Sequence, residues 1–183
     1  MADTDAAAAG GAQEGQGAQQ QFLTQRLYIK DVSFESPASP QVFQKNWKPQ
    51  VNVDLNTKTE RIDDNNVEVV LSITITATQD DETAFLVEVH QAGVFLITGV
   101  EGENLRRVLS TVCPNILFPY ARETIDSLVV KGSFPALMMA PVNFDILYAE
   151  ALRQAQESGE AGGAAEGAAD AAPEAPAGDA TIN

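Results

Sequence analysis

The spacing of apolar residues changes near residue 101, and this change limits the possible folds more than any other feature. Up to residue 98 apolar side chains recur at every second position, as they do in a strand with one buried face. From residue 101 onward they recur at intervals of three and four, as in an amphipathic helix. Strands followed by helices predict an α+β class, in which one antiparallel sheet carries its helices on one face.

Four segments show the strand pattern, at residues 21–37, 51–58, 67–79 and 83–97. Short turns at 62–66 and at Asp80-Asp81 predict that the last three segments form an antiparallel meander. In the first segment both sets of alternate positions contain apolar residues. We therefore expect each face of that strand to meet apolar surroundings over part of its length.

The connection at residues 36–50 contains three prolines, which predict a long loop without regular helix or strand. The same connection carries Phe43 and Trp47. A long loop with large apolar groups is either fixed to a core or serves as a binding element.

The helical part is predicted to contain a long broken helix and a C-terminal helix. The first helix begins near residue 101 with acidic residues, and its apolar stripe is Leu105, Val108, Leu109 and Val112. We expect Pro114 to break it and Pro119 to start a second segment that ends at Gly132. The stripe of that segment is Leu117, Ala121, Ile125 and Leu128. The last helix is expected to start near Pro141 or Asn143.

Charge divides the chain into a folded segment and two tails. The net charge is −15, from 11 Lys and Arg and 26 Asp and Glu. Residues 1–20 and 154–183 contain acids, no bases and no aromatics, and both are rich in Ala and Gly. We predict disordered acidic tails there and one domain at 21–153. So acidic a chain argues against nucleic acid or an anionic membrane as its main partner, and favours a basic protein or peptide.

Enzyme and metal sites are not indicated. The sequence has no G-x-S-x-G, no phosphate-binding glycine loop and no H-E-x-x-H. Cys113 and His90 are its only Cys and His, so no disulfide within the chain and no zinc site of such ligands is expected. No secretory signal and no apolar run long enough to span a bilayer is present. We expect a soluble intracellular binding protein.

Two surfaces are candidates for binding. The first is an acidic group with one apolar member, Asp31, Glu35, Leu86 and Glu88, which forms on the outer face of the sheet if the first and fourth strands are neighbours. The second comprises Phe43 and Trp47 in the proline-rich loop, near Met138 and Met139, since Met and aromatic side chains suit adaptable binding surfaces. The pattern alone favours an ordinary solvated sheet face, and loops that only cover the core, over these two binding surfaces.

Several blocks of the chain closely resemble one family, and they occur in the family's order. They are YIKDVSFESP, VFQKNWKP, ETAFLVEVHQAGVF, CPNILFPYARETI and PVNFDILY, and the resemblance covers about residues 22–152. The family is SecB, the bacterial protein-export chaperones. The resemblance implies a cytoplasmic homotetramer, a dimer of dimers, that holds precursor proteins unfolded without ATP or cofactor and passes them to the SecA motor.

The resemblance also assigns roles to residues. It implies a SecA-docking face at Asp31, Glu35, Leu86 and Glu88, with the zinc on the partner. It implies a groove for unfolded clients at Phe43, Trp47, Val51, Val53, Leu55, Phe144, Leu147 and Tyr148. It implies that Val87, Val89 and Gln91 affect assembly. In the family the long helix lies between dimers, so Tyr120, Arg122, Glu123 and Asp126, which fall largely off its apolar stripe, are predicted to meet another subunit. The alternative is a structural adaptor that binds one folded partner through the acidic face.

Overall fold

One antiparallel sheet of four strands carries the fold, as the sequence predicts. The structure is a computed structural model and describes residues 20–159. The strands are β1 (Gln21–Glu35), β2 (Gln50–Arg61), β3 (Asn66–Gln79) and β4 (Glu82–Thr98), and their order in the sheet is β1-β4-β3-β2. The meander of β2, β3 and β4 is thus confirmed. Strand β1 pairs with β4, and residues 36–49 cross from β1 at one edge of the sheet to β2 at the other.

The turn between β3 and β4 shows why this meander is tight. Asp80 and Asp81 both have positive φ, at 53° and 62°, and Gln79 pairs with Glu82 across them. Positive φ at both central residues is typical of the type I′ hairpin turn, whose twist matches that of the flanking strands. Asp tolerates this conformation better than most residues other than glycine.

The helices follow on one face of the sheet. They are α1 (Gly102–Arg107), α2 (Cys113–Lys131) and α3 (Phe144–Gly159), and a π-helical turn at Val108–Val112 joins α1 to α2. We call the sheet face under the helices the helix face and the opposite one the outer face. The core lies between the helix face and α2, where the sheet contributes Ile73, Ile75, Val87 and Phe95 and α2 contributes Leu117, Ala121, Ile125 and Val129.

The predicted break of the long helix lies earlier than expected. Pro114 occupies the first turn of α2, where a missing N–H costs nothing, and Pro119 lies inside α2 without ending it. The irregularity is the π-helical turn, whose extra residue rotates the following side chains around the axis. Val112, predicted in the apolar stripe, is therefore exposed, and Thr111 is buried with its hydroxyl donating to the carbonyl of Arg107 at 3.0 Å.

The other element boundaries agree with those predicted from the sequence or extend beyond them. Gly132 ends α2, and its N–H donates to the carbonyl of Leu128 at 2.8 Å. Asn143 caps α3, since its side-chain oxygen accepts the N–H of Ile146 at 3.2 Å. The proline-rich loop contains one 3₁₀ turn at Gln41–Gln44, where no helix was expected. Helix α3 continues to Gly159, so residues 154–159 are helical rather than part of a disordered tail. The rest of both predicted tails, 1–19 and 160–183, lies outside the described residues.

Gly132 is also required by packing. A Cβ at this position would overlap the ring of Phe34, which packs under the end of α2, and would lie 3.2 Å from the carbonyl oxygen of Val129. Glycine therefore allows β1 and the end of α2 to approach closely.

We predict that Gly132→Ala lowers the free energy of unfolding by about 1–3 kcal/mol through overpacking. Urea denaturation measures it, and Phe34→Leu should recover part of the loss when it is combined with Gly132→Ala. A fully additive double variant would show that the Phe34 ring is not the obstacle.

Candidate functional site

The four residues predicted to form the docking face lie together on the outer face. In the pairing of β1 with β4, Glu35 is opposite Leu86, Ser33 is opposite Glu88 and Asp31 is opposite His90. Residues directly opposite each other on paired strands share a face, with Cβ atoms about 5 Å apart. We call Asp31, Glu35, Leu86 and Glu88 the acidic patch.

Two residues that the sequence did not single out extend the acidic patch. His90 lies beside it, with its Nε2 atom 2.8 Å from Oε1 of Glu88. Asp54 on β2 is exposed on the same face, in line with Glu88 through Thr74 of β3. Alternation along β4 places His90 on the face of Glu88, whereas Asp54 could not be found without knowing the strand order, because β2 and β4 are neighbours of β3 and not of each other.

On the helix side, five rings form an aromatic cluster that joins four parts of the chain. Its members are Phe34 of β1, Phe43 and Trp47 of the proline-rich loop, Phe85 of β4, and Phe134 of the loop after α2. Phe134 is central, since its ring centroid lies 4.9 Å from that of Phe85 and 5.2 Å from those of both Phe43 and Trp47. Sequence reasoning missed Phe134 because it lies in a loop without periodicity.

A buried glutamine holds Trp47 in this cluster. The side chain of Gln79 accepts the backbone N–H of Lys48 at 2.9 Å and donates to the carbonyl of Asn46 at 3.0 Å. These two bonds fix the backbone on both sides of Trp47, which stacks on Phe85 at 6.3 Å. The proline-rich loop is therefore anchored to the end of β3, and Phe43, which is 48% exposed, remains accessible at its tip.

The structure places the predicted groove residues in three groups. Phe43 and Trp47 belong to the aromatic cluster. Val51, Val53 and Leu55 are half-buried on the helix face of β2, which is an edge strand of the sheet. Phe144 is only 4% exposed, because its ring packs edge-on against Phe118 of α2 at 6.0 Å. Phe144 thus belongs to the core in this structure and is not a free groove surface, whereas Leu147 and Tyr148 are half-buried.

Known proteins share both the sequence and the architecture. The family described as preprotein translocase subunit SecB matches residues 15–155. The protein-export protein SecB of Marinobacter nauticus is 61% identical over 145 residues, which cover 78% of this chain and 88% of that protein. SecB of Hahella chejuensis is 62% identical over 142 residues, covering 76% of this chain and 89% of that protein. The chain belongs to the SecB family.

The fold has a counterpart among solved structures. A SecB-like chaperone of Mycobacterium tuberculosis, solved in complex with a ChAD peptide from the HigA1 antitoxin, superposes with a TM-score of 0.54. It is 15% identical, and the match covers 67% of this chain and 88% of that one. This likeness extends to the fold alone. SecB is a chaperone family and not a family of enzymes.

The only cysteine and the only histidine of the chain lie on opposite sides of the sheet and do not form a reactive pair. Cys113 is fully buried on the helix side, and burial raises the pKa of its thiol to about 12, so the thiolate is scarce at neutral pH. His90 projects from the outer face. In residues 20–159, no group of three or more His, Cys, Asp or Glu side chains is placed to hold a metal ion. None of the helices described is both long and apolar enough to cross a bilayer.

Three residues predicted at subunit contacts are buried within the protomer. Val87 and Val89 are fully buried on the helix face of β4, and Gln91 is 3% exposed. Such side chains offer little surface to another subunit, so an effect on assembly would act through packing within the protomer, and their assignment to assembly stays a prediction. Gln91 instead donates from Nε2 to the backbone carbonyl of Tyr28 at 2.9 Å, and thereby ties β1 to β4.

The four polar residues of α2 divide into two pairs. Tyr120 and Glu123 are exposed. Arg122 donates to the carbonyl of Met139 at 3.4 Å, and Asp126 accepts the N–H of Met138 at 3.3 Å. Arg122 and Asp126 therefore hold the loop after α2 in place, and with it the exposed side chain of Met138.

A buried carboxylate lies on the outer face, two strands away from β1. Glu68 of β3 is 8% exposed and accepts hydrogen bonds from the hydroxyl of Tyr28 and from Nζ of Lys30, the latter at 2.6 Å. Burial raises the pKa of Glu68, but the bonds from Lys30 and Tyr28 outweigh it and leave that pKa below its usual value. The bond to Glu68 raises the pKa of Tyr28 from 10.0 to about 12.

This raised pKa makes stability depend on alkaline pH. Between pH 10 and about 12 the folded chain retains a proton on Tyr28 that the unfolded chain releases. Stability therefore falls as pH rises through this range, because deprotonation favours the state that binds fewer protons.

We predict that Tyr28→Phe abolishes this part of the alkaline loss. Urea unfolding at fixed protein concentration, from pH 8 to pH 12, measures the loss in each protein, and Tyr148→Phe is the control. An equal alkaline loss in wild type and Tyr28→Phe would contradict the assignment.

Proposed function

We propose that the protein is an ATP-independent chaperone that holds precursor proteins unfolded and competent for translocation, and delivers them to SecA. It acts in the cytoplasm as a homotetramer, a dimer of dimers, without cofactor. The observation that carries the proposal is the opposite character of the two sides of the sheet. The helix side exposes aromatic and apolar groups around a fixed core, and the outer side exposes the acidic patch.

The helix side supports the binding of unfolded clients. Phe43 is 48% exposed and Met138 is 76% exposed, on two loops that are both anchored to the core. Met is flexible and polarizable, so it adapts to many sequences, while an anchored aromatic ring contributes a large contact area. The half-buried Val51, Val53 and Leu55 lie on edge strand β2, whose free edge also offers backbone groups to an extended chain.

The outer side supports docking to SecA. The acidic patch combines three carboxylates with Leu86, so it offers a basic partner both charge and one apolar contact. Charge complementarity of this kind accelerates encounter and selects the partner. The same negative charge disfavours nucleic acid and insertion into an anionic membrane.

Exposed apolar side chains on β1 support the proposal that the protein assembles into a homotetramer. Phe22, Ile29 and Val32 are 39%, 48% and 41% exposed, and β1 is an edge strand with a free row of backbone groups. A long edge with apolar side chains is a liability for a monomer unless another chain covers it. Four subunits also multiply weak client contacts into tight binding of one long chain.

We predict that one variant on each side of the sheet weakens only the binding activity proposed for that side. Phe43→Ser should weaken the affinity for an unfolded precursor about tenfold, because all four copies change together, and leave the affinity for SecA unchanged. Glu88→Lys should weaken the affinity for SecA about tenfold by charge reversal and leave precursor binding unchanged. Titration of each tetramer with a labelled unfolded precursor and with SecA measures both affinities.

The outcomes also decide against the adaptor alternative. An adaptor would bind a folded partner and leave the refolding and aggregation of a slow-folding precursor unaffected by equimolar tetramer. If the wild type behaves in this way, the chaperone proposal is wrong. If Glu88→Lys loses both affinities while its mass remains that of the tetramer, the separation of the two sides is wrong.

The exposed part of the predicted α2 interface gives a test of assembly. We predict that Tyr120→Ala raises the tetramer dissociation constant about tenfold, equivalent to about 1.4 kcal/mol, because an interfacial aromatic ring is lost. Native mass measured over a dilution series gives the constant. Ile62→Ala, which removes an exposed apolar side chain in the β2–β3 turn, is the control. Equal effects of the two variants would place Tyr120 outside the interface.

A further inference from the structure

A β-bulge in β1 determines which of its side chains reach the outer face. Ile29 pairs with Gln91, but Asp31 pairs with His90, so β1 has one extra residue, Lys30, at this point. Without it the next pairs would be Lys30 with His90 and Asp31 with Val89. A slip of one residue moves every following side chain to the other face. The bulge thus directs Asp31 and Glu35 outward and Phe34 toward the core.

The bulge is held from both faces of the sheet. On the helix side, Gln91 donates to the carbonyl of Tyr28 at 2.9 Å. On the outer side, Lys30 and Tyr28 both bond to Glu68, which lies on β3, two strands from β1. Two strand spacings are about 10 Å, so both side chains must reach across β4.

A small residue on β4 leaves room for this reach. Ala92 lies directly opposite Tyr28 on one side and Val70 on the other, so only a methyl group stands between β1 and β3 at this level. Glu68 is bonded to two side chains of β1 and is 8% exposed, whereas Glu60, directly opposite it on β2, is exposed. The buried carboxylate is therefore committed to β1, and one of its two partners is the bulge residue itself.

We propose that Glu68 and Lys30 are positioning residues for the acidic patch: their ion pair fixes the bulge that turns Asp31 and Glu35 to the outer face. Neither residue is a member of the patch, and Glu68 is too buried to meet a partner directly. The inference rests on the proposed docking of SecA to the acidic patch and adds residues that act on that docking through geometry.

The sign of one substitution separates geometry from charge. Lys30→Met keeps the hydrocarbon stem but removes a positive charge from the outer face. If only charge mattered, a more negative face would bind a basic partner more tightly. If Lys30 positions the bulge, its loss loosens residues 29–33 and weakens binding in spite of the added negative charge.

The test compares full-length tetramers of wild type, Lys30→Met, Lys30→Arg and the control Lys58→Met. Lys58 lies on the outer face of β2 opposite Val70 and acts on Glu68 through charge alone, so its substitution makes the same change in charge without removing a bond to Glu68. We expect Lys30→Met to weaken the affinity for SecA about fivefold, since a partly exposed ion pair is lost. Lys30→Arg should retain wild-type affinity within about twofold because it can keep the pair with Glu68.

The rate of amide hydrogen exchange in residues 29–33 should rise if the bulge loosens and stay the same if only the surface charge changes. We expect faster exchange in residues 29–33 of Lys30→Met and unchanged exchange there in Lys58→Met. Glu68→Gln and its cross-strand control Glu60→Gln repeat the comparison with the opposite change of charge. Affinity for an unfolded precursor should stay at the wild-type value in all of these variants.

The outcomes are distinct. If Lys30→Met binds SecA as tightly as Lys58→Met, or if exchange in residues 29–33 is unchanged, the positioning role is refuted. If Glu88→Lys also keeps wild-type affinity in the same assay, the docking proposal itself fails. Faster exchange in Lys30→Met with lost affinity in both Lys30→Met and Glu88→Lys supports the inference.

Discussion

The pairing of β1 with β4 is the interaction on which the rest of the structure depends. A sheet covered by helices on one side has two chemically different faces, and each strand residue belongs to one of them. The strands β2, β3 and β4 follow one another through short turns, but the 14 residues 36–49 join β1 to β2 at the opposite edge of the sheet, and β1 pairs with β4, which is distant in sequence. The register of this one pair decides both what closes the core and what the outer face displays.

The strands with unbroken alternation could be predicted from the sequence almost residue by residue. In β3 the apolar positions from Val67 to Ala77 are all buried, and the Ser and Thr residues between them face outward. The first strand could not be sorted in this way, because two bulges, at Gln25 and Lys30, reverse its alternation twice. Once these are counted, the apolar Phe22, Leu27, Ile29, Val32 and Phe34 all fall on the helix face. A bulge adds a single residue and leaves no signal in composition.

The helical region shows the same limit. The stripe predicted for the second segment was correct at Leu117, Ala121 and Ile125, where the period is regular. The stripe predicted for the first segment was wrong at Val112, where the π-helical turn inserts a residue. The prolines at 114 and 119 do not break the helix. Pro114 lies in the first turn of α2, where its missing N–H costs no hydrogen bond, and the helix continues past Pro119 with one backbone hydrogen bond lost. Of the candidate site residues, Val87 and Val89 are buried, as the alternation of β4 predicts, whereas the burial of Phe144 follows only from its packing against Phe118 of α2.

Buried polar side chains do much of the positioning on both sides of the sheet. Gln79 pairs with the backbone around Trp47, Gln91 with the carbonyl of Tyr28, and Glu68 with two residues of β1. Each is less than a tenth exposed, and no buried side-chain polar atom among the described residues lacks a partner. An unpaired polar group in such a position would cost more than it contributes, so each of these three also selects one arrangement of its loop or strand over the alternatives. The apolar core holds the sheet and the helices together, and the three polar groups fix the positions of the proline-rich loop and of β1 relative to that core.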